Sequence, residues 1–257
     1  MTTVLKTEDL RKQFGQLTAV DDVSIEIDDD KITSIIGPNG AGKTTFYNLL
    51  TGVLEPTSGS IWLRSGEGGE LADVTDAEPH EVAQAGLSRS YQITNIFEGL
   101  TVRENVRVAR ISHDGSRLDF RSRATGDESV EADVEELLEL TGLTDIADTP
   151  CDTLSHGEKR TVEIALALAI EPNVFLMDEP TAGMNPTEVT EIVSLIRDLD
   201  EDFDATFVVT EHNMDVVTDI SDRIVVLAEG SILADGTPED VLTDERVTEA
   251  YLGSDSV

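Results

Sequence analysis

KITSIIGPNGAGKTTFYNLLTG, residues 31–52, joins a short apolar run, a glycine-rich turn and a helical pattern that ends at Gly52. The turn, GPNGAGKTT (37–45), satisfies G-x-x-x-x-G-K-[ST] with Gly37, Gly42, Lys43 and Thr44. A strand entering such a turn and a helix leaving it aim backbone N–H groups and the positive end of a helix dipole at one point. That arrangement suits phosphate oxygens. Gly37, Pro38, Asn39, Gly40, Ala41, Gly42, Lys43, Thr44 and Thr45 are therefore candidate nucleotide-binding residues. Lys43 is placed to neutralise the β/γ-phosphates of a nucleotide, and the Thr44 hydroxyl to ligate Mg²⁺.

On the N-terminal side, Val4, Leu5 and Leu10, then Val20, Val23, Ile25 and Ile27, alternate as antiparallel strands do. On the C-terminal side, GSIWLR (59–64) reads as a strand, and EGGELADVTDAEPH (67–80) as an exposed loop. Residues 113–127 are polar and without period, which predicts another loop. Val130, Val134, Leu137 and Leu138 then fall on one helical stripe, with seven acids in 127–139 on its solvated side. From residue 161 helix and strand patterns take turns: VEIALALAI, NVFLMDE, TEVTEIVSLIRDL, ATFVVTEH and RIVVLAEG. Such alternation predicts a mostly parallel sheet covered by helices. The expected organisation is a single domain over 1–257, with an α/β core and antiparallel β subdomain (1–96 and 161–257). A helical lobe at about 97–160 is inserted in that core.

Two further stretches carry chemistry. VFLMDEP (174–180) is an apolar strand with Asp178 and Glu179 at its C-terminal end, where open α/β sheets bind ligands. In isolation two acids at a strand end also fit a turn. Beside the phosphate loop, Asp178 is placed to hold Mg²⁺ and Glu179 to act as base for a water attacking the γ-phosphate. LSHGEKR (154–160) precedes an apolar helix, and Ser155 with Glu158 three residues on fits a capping box. A capping box leaves Gly157 unexplained, since glycine in a first turn weakens the helix by about 1 kcal/mol. Bare backbone at a helix N-terminus also suits an approaching phosphate.

Composition narrows the function classes. The 257 residues hold 53 Asp plus Glu against 18 Lys plus Arg, a formal net charge of −35, with 39% hydrophobic residues. A surface this negative disfavours direct binding to nucleic acid or anionic membrane. The apolar content argues against disorder. The remaining explanation is a chain suited to concentrated salt, where screening shortens to about 3 Å at 1 M. No apolar run approaches the ~18–20 residues of a membrane span. MTTVLKTEDL lacks the pattern of a secretory signal, and the single Cys151 cannot form an internal disulfide, which fits a reducing cytoplasm.

GPNGAGKTT, Gln92 in SRSYQ, LSHGEKR, VFLMDEP, TAGMNP (181–186) and His212 in VVTEH stand in the order found in ABC transporter ATPases. Along nearly its whole length the chain resembles the nucleotide-binding subunit of that family. The resemblance implies a P-loop NTPase fold of the ABC type and ATP hydrolysis with Mg²⁺. It also implies that Phe14 stacks on adenine, and that Gln92 contacts Mg²⁺ and the attacking water and links the site to membrane subunits. Ser155 and Gly157 match the signature that binds the γ-phosphate of a partner protomer's ATP, and His212 matches the switch histidine. Two departures stand out: the signature reads LSHGE, with His156 and Glu158 where Gly and Gln are usual, and Phe14 replaces the commoner Tyr, keeping its π face.

LSHGEKRTVEIALALA, DEPTAGMNP, TEHNMDVV, ADGTPEDVL and EAYLG look like the first ATP-binding subunit of branched-chain amino-acid importers. The implied partners are membrane permease subunits, a second ATPase chain (self or sister) arriving head to tail, and a substrate-binding protein. The implied location is cytoplasmic, peripheral on the inner face of the cell membrane. Close alternatives are motors for urea or amide importers or for a lipid exporter. A soluble ABC ATPase acting on an iron–sulfur assembly scaffold is the alternative from another class.

Overall fold

A computed structural model describes residues 2–29, 31–64, 66, 69–90, 96–113 and 126–254. The chain opens with the antiparallel pair β1 (Thr3–Phe14) and β2 (Leu17–Asp28), then β3 (Thr33–Ile36), α1 (Lys43–Leu50), β4 (Ser58–Arg64), β5 (Leu71–Asp73), α2 (Pro79–Gln84) and β6 (Leu87–Ser90). Helices α3 (Val102–His113), α4 (Gly126–Leu140) and α5 (His156–Leu168) follow, then β7 (Val174–Asp178) and α6 (Pro186–Asp202). The last elements are β8 (Thr206–Thr210), α7 (Met214–Ile220), β9 (Arg223–Ala228), β10 (Ser231–Gly236), α8 (Pro238–Leu242) and α9 (Glu245–Ser254).

These elements form two compact units, residues 1–89, 173–179 and 204–257, and residues 90–172 and 180–203. The first unit holds a four-stranded sheet in the order β2-β1-β4-β5 and a six-stranded sheet in the order β10-β9-β3-β8-β7-β6. The four-stranded sheet is antiparallel throughout. In the larger sheet β9, β3, β8 and β7 run parallel, and β10 adds an antiparallel edge. A mostly parallel sheet with a separate antiparallel one is the α/β class that the alternation predicts.

Strand alternation places the core. Ile35, Val225 and Leu227 face a cluster with Phe46, Tyr47, Leu49 and Leu50 of α1 and with Leu5, Val23 and Ile27 of the antiparallel sheet. Their neighbours Ile36, Ile224 and Val226 face the opposite cluster, with Val217 of α7, Val241 of α8 and Val247 of α9. Both faces of these strands are therefore buried, which is why their sequences run apolar without gaps. The apolar side of α1 packs between the two sheets, so the turn that precedes α1 is held on both flanks.

The second unit contains α3, α4, α5 and α6, with α3 against α4 and α5, and α5 against α6. Val130, Val134, Leu137 and Leu138 of α4 are buried, as their stripe predicts. The second unit spans the stretch expected as a lobe at about 97–160 and also takes in residues 90–96, 161–172 and 180–203. The segment 67–80, expected as a loop, instead supplies β5, paired through Leu71–Asp73 with Trp62–Arg64 of β4, and the start of α2. Most of the loop expected over 113–127 lies outside the described residues, and His113 closes α3.

Candidate functional site

The glycine-rich turn leaves β3 at Gly37 and enters α1 at Lys43, and the fold admits little but glycine at two of its positions. A Cβ on Gly37 would lie 2.1 Å from the Leu227 carbonyl oxygen. Gly42, with φ 101°, caps α1, and a Cβ there would lie 2.3 Å from the Ala19 carbonyl oxygen. Backbone therefore closes on backbone at both ends of the loop. Helix α1 has no side-chain cap at its N-terminus and no acid in its first turn. By contrast α2, α5 and α6 each begin with a capping box that satisfies these N–H groups. The start of α1 keeps its N–H groups and positive dipole end for an anion.

Lys43 is buried, and its Nζ donates to the carbonyls of Gly37 (2.5 Å) and Pro38 (3.2 Å). Burial pulls the Lys43 ammonium below the usual lysine range, against the opposing fields of Glu179 and Asp178. Asn39, Gly40 and Thr44 are exposed around it.

The two acids stand where β7 ends. Asp178 is held through both oxygens: Arg89 Nη2 donates to Oδ2 at 2.6 Å, and the Thr210 hydroxyl donates to Oδ1 at 2.8 Å. Glu179 adopts φ 47°, a left-handed conformation costing a non-glycine residue of order 1–3 kcal/mol. Its N–H donates to the Thr210 carbonyl at 3.0 Å, which fixes that backbone. The carboxylate meets His212, with Nε2 to Oε1 at 2.6 Å. His212 is itself set by the buried Glu211, whose carboxylate accepts the His212 N–H at 3.0 Å. Asp9, Asp22, Glu171 and Glu229 share the left-handed region, so what distinguishes Glu179 is its place beside Asp178 and its contact with His212.

The residues fit a nucleotide with a divalent cation. One carboxylate (Asp178), one exposed hydroxyl (Thr44) and an anion-accepting loop are the donor set for Mg²⁺ that takes its other ligands from phosphate and water. Among the described residues no three His, Cys, Asp or Glu converge as a metal cage of their own.

The other predicted residues divide between the units. Phe14 is 46% exposed at the end of β1, with Lys12 Nζ 5.3 Å from its ring centroid. That cation–π contact steadies a flat, open ring. Ser155 and Gly157 belong to the second unit. Ser155 caps α5, its hydroxyl accepting the Glu158 N–H at 3.2 Å while Glu158 accepts the Ser155 N–H at 2.7 Å. Gly157 acquires a packing reason: a Cβ there would sit 3.1 Å from Glu188 Cγ. His156, the departure in the signature, places Nε2 3.3 Å from the Ala182 carbonyl of TAGMNP. Gln92 lies outside the described residues. Sequence reasoning missed Arg89, Thr210, Glu211 and Glu188. Of these only Arg89 leaves a trace, as a lone cation in the strand LSRS.

Residues 20–182 match the family model described as ABC transporter, and residues 231–257 match one described as branched-chain amino acid ATP-binding cassette transporter. The high-affinity branched-chain amino acid transport ATP-binding protein BraF of Pseudomonas aeruginosa is 37% identical over 256 residues, 97% of this chain and 98% of BraF. The ADP conformation of MJ1267, an ATP-binding cassette of an ABC transporter, superposes with TM-score 0.83 at 31% identity, covering 98% of this chain and 100% of that one. The dimeric post-hydrolysis state of the cassette MJ0796, bound to ADP and Pi, gives TM-score 0.73 at 26% identity over 91% of this chain and 98% of that one.

Proposed function

The chain belongs to the ABC transporter family of ATPases, and from that premise we propose that it drives the import of branched-chain or other hydrophobic amino acids. The observation that carries the cargo is the match of residues 231–257, which lie beyond the ATPase motifs, to the branched-chain amino acid cassette model. A soluble role on a non-transport partner has no such support.

In this reading the chain works on the cytoplasmic face of the membrane beneath permease subunits, with a substrate-binding protein delivering cargo on the other side. Among the described residues no helix is long and apolar enough to cross a membrane, which suits a motor attached to separate permeases. Nucleic acid has no part in it.

ATP enters with adenine on Phe14 and its phosphates on residues 37–45. Lys43 exchanges the carbonyls of Gly37 and Pro38 for β/γ-phosphate oxygens. Thr44 and Asp178, with Gln92, would hold Mg²⁺, which would offset charge on the phosphates. Glu179 takes a proton from water as the water oxygen attacks the γ-phosphorus and the bond to ADP breaks. His212, 2.6 Å from Glu179, keeps that carboxylate aimed. Ser155 and Gly157 close the site of a second chain.

Reconstituted with its permeases and binding protein in proteoliposomes, the chain should hydrolyse ATP faster when leucine, isoleucine or valine loads the binding protein. Stimulation by urea or by lipid instead, with none by these amino acids, would reassign the cargo.

The acidic surface adds a second expectation. With a net charge of −35, self-repulsion should weaken the folded state until counter-ions screen it. The melting temperature should rise by about 10 °C between 0.1 and 2 M KCl, equivalent to roughly 3–4 kcal/mol for a chain of this size. A flat melting temperature across that range would remove the reading of a salt-adapted chain.

A further inference from the structure

Arg89 occupies a position at which charge is costly. It lies on β6 two residues after Leu87, and successive odd residues of a strand share a face. Leu87 faces the core cluster that includes Tyr47 of α1, so Arg89 points to the same side. Its side chain is 5% exposed. The guanidinium lies over the Tyr47 ring, 5.4 Å from the centroid, and divides its donors between Asn48 Oδ1 (Nη1, 2.7 Å) and Asp178 Oδ2 (Nη2, 2.6 Å). The helix that follows the phosphate loop and the carboxylate at the end of β7 are thus joined through one rigid cation.

Stability alone is a poor reason for this pair. Buried ion pairs often break even with well-packed apolar residues, because desolvation offsets the attraction. A leucine at 89 would extend the apolar face that Leu87 begins. What the guanidinium supplies and leucine cannot is a fixed orientation and a positive charge beside Asp178.

We propose that Arg89 is a positioning residue for Asp178, holding its carboxylate in one rotamer and offsetting its charge so that the site grips a divalent cation only moderately. The proposal rests on the reading of Asp178 as a cation-holding group. With Oδ2 on Arg89 and Oδ1 on Thr210, the carboxylate presents a reduced field. Repulsion between a guanidinium and a divalent ion a few ångströms apart is worth about tenfold or more in affinity even when strongly screened. The cation can then leave with ADP rather than remain behind to block the next nucleotide.

The test is a Mn²⁺ titration of the full chain at saturating ADP, read by electron paramagnetic resonance, for wild type, Arg89→Met and Arg89→Lys. Arg89→Met should bind Mn²⁺ about tenfold more tightly than wild type. Arg89→Lys, which keeps the charge but not the planar fork, should bind Mn²⁺ more weakly than Arg89→Met and closer to wild type. The affinity for ADP without metal should change by less than about threefold in both, since Asp178 and not the phosphate loop receives the guanidinium. A merely structural Arg89 predicts the opposite, with Mn²⁺ and metal-free ADP both weakened. Unchanged or weaker Mn²⁺ binding in Arg89→Met overturns the proposal. If that variant does not fold, Arg89→Gln, which keeps a donor and loses the charge, is held to the same two outcomes. Failure of the wild-type chain to bind Mn²⁺ with ADP would instead overturn the reading of Asp178 itself.

Discussion

Glu179→Gln is expected to lower ATP hydrolysis by about 10²–10⁴-fold while leaving ATP affinity within a few-fold of wild type. The amide has the volume of the carboxylate and still offers Oε1 to His212 Nε2, so the 2.6 Å contact can persist. Glutamine tolerates φ 47° no better and no worse than glutamate, so the strained backbone held by Thr210 stays in place. What disappears is the ability to take a proton as water attacks. In the proposed site phosphate binding rests on the loop N–H groups, the start of α1 and Lys43, none of which the change touches. Single-turnover hydrolysis measures the loss, and a fluorescent ATP analogue measures the binding. A near wild-type rate with intact binding would remove Glu179 as the base, and the strain at this residue would need another account.

The ATPase architecture was legible because its signals are local. Residues 31–52 carry strand, turn and helix within a single stretch, and the apolar runs at 174–177 and 207–209 announce strands buried on both faces. The capping box of Ser155 and Glu158 is likewise a four-residue pattern, and it forms as read. Strand β5 escaped notice because three residues cannot display a period, and its pairing with β4 is set by register across the sheet. Gly157 could be explained only in part, since the Glu188 side chain that needs the space comes from another helix. Arg89 and Asp178 are 89 positions apart, so no spacing rule connects them, and only the sheet order brings β6 beside β7. The pattern is physical: chemistry carried by one turn is readable, and chemistry completed across strands is not.

The same distinction bears on the proposed completion of the site by a second chain. Lys43, Asp178, Glu179 and His212 all belong to the first unit, whereas Ser155 and Gly157 begin α5 in the second. In the head-to-tail arrangement that we propose, each site would combine Lys43 of one protomer with Ser155 of its partner. A dimer of one Lys43→Ala chain and one Ser155→Arg chain then holds one site with both defects and one intact site. A dimer of a wild-type chain and a chain carrying both changes holds two damaged sites. Differentially tagged chains allow each mixed dimer to be isolated, in the Glu179→Gln background so that ATP is retained rather than hydrolysed. The first mixed dimer should occlude about one ATP and the second essentially none, because loss of Lys43 leaves the phosphate charge uncompensated and an arginine at 155 fills the space a γ-phosphate needs. If each chain completed its own site the pattern would invert, with the wild-type chain of the second dimer retaining ATP and the first dimer retaining none. Occlusion discriminates better than turnover here, since two sites that fire cooperatively can both fall silent when only one is damaged.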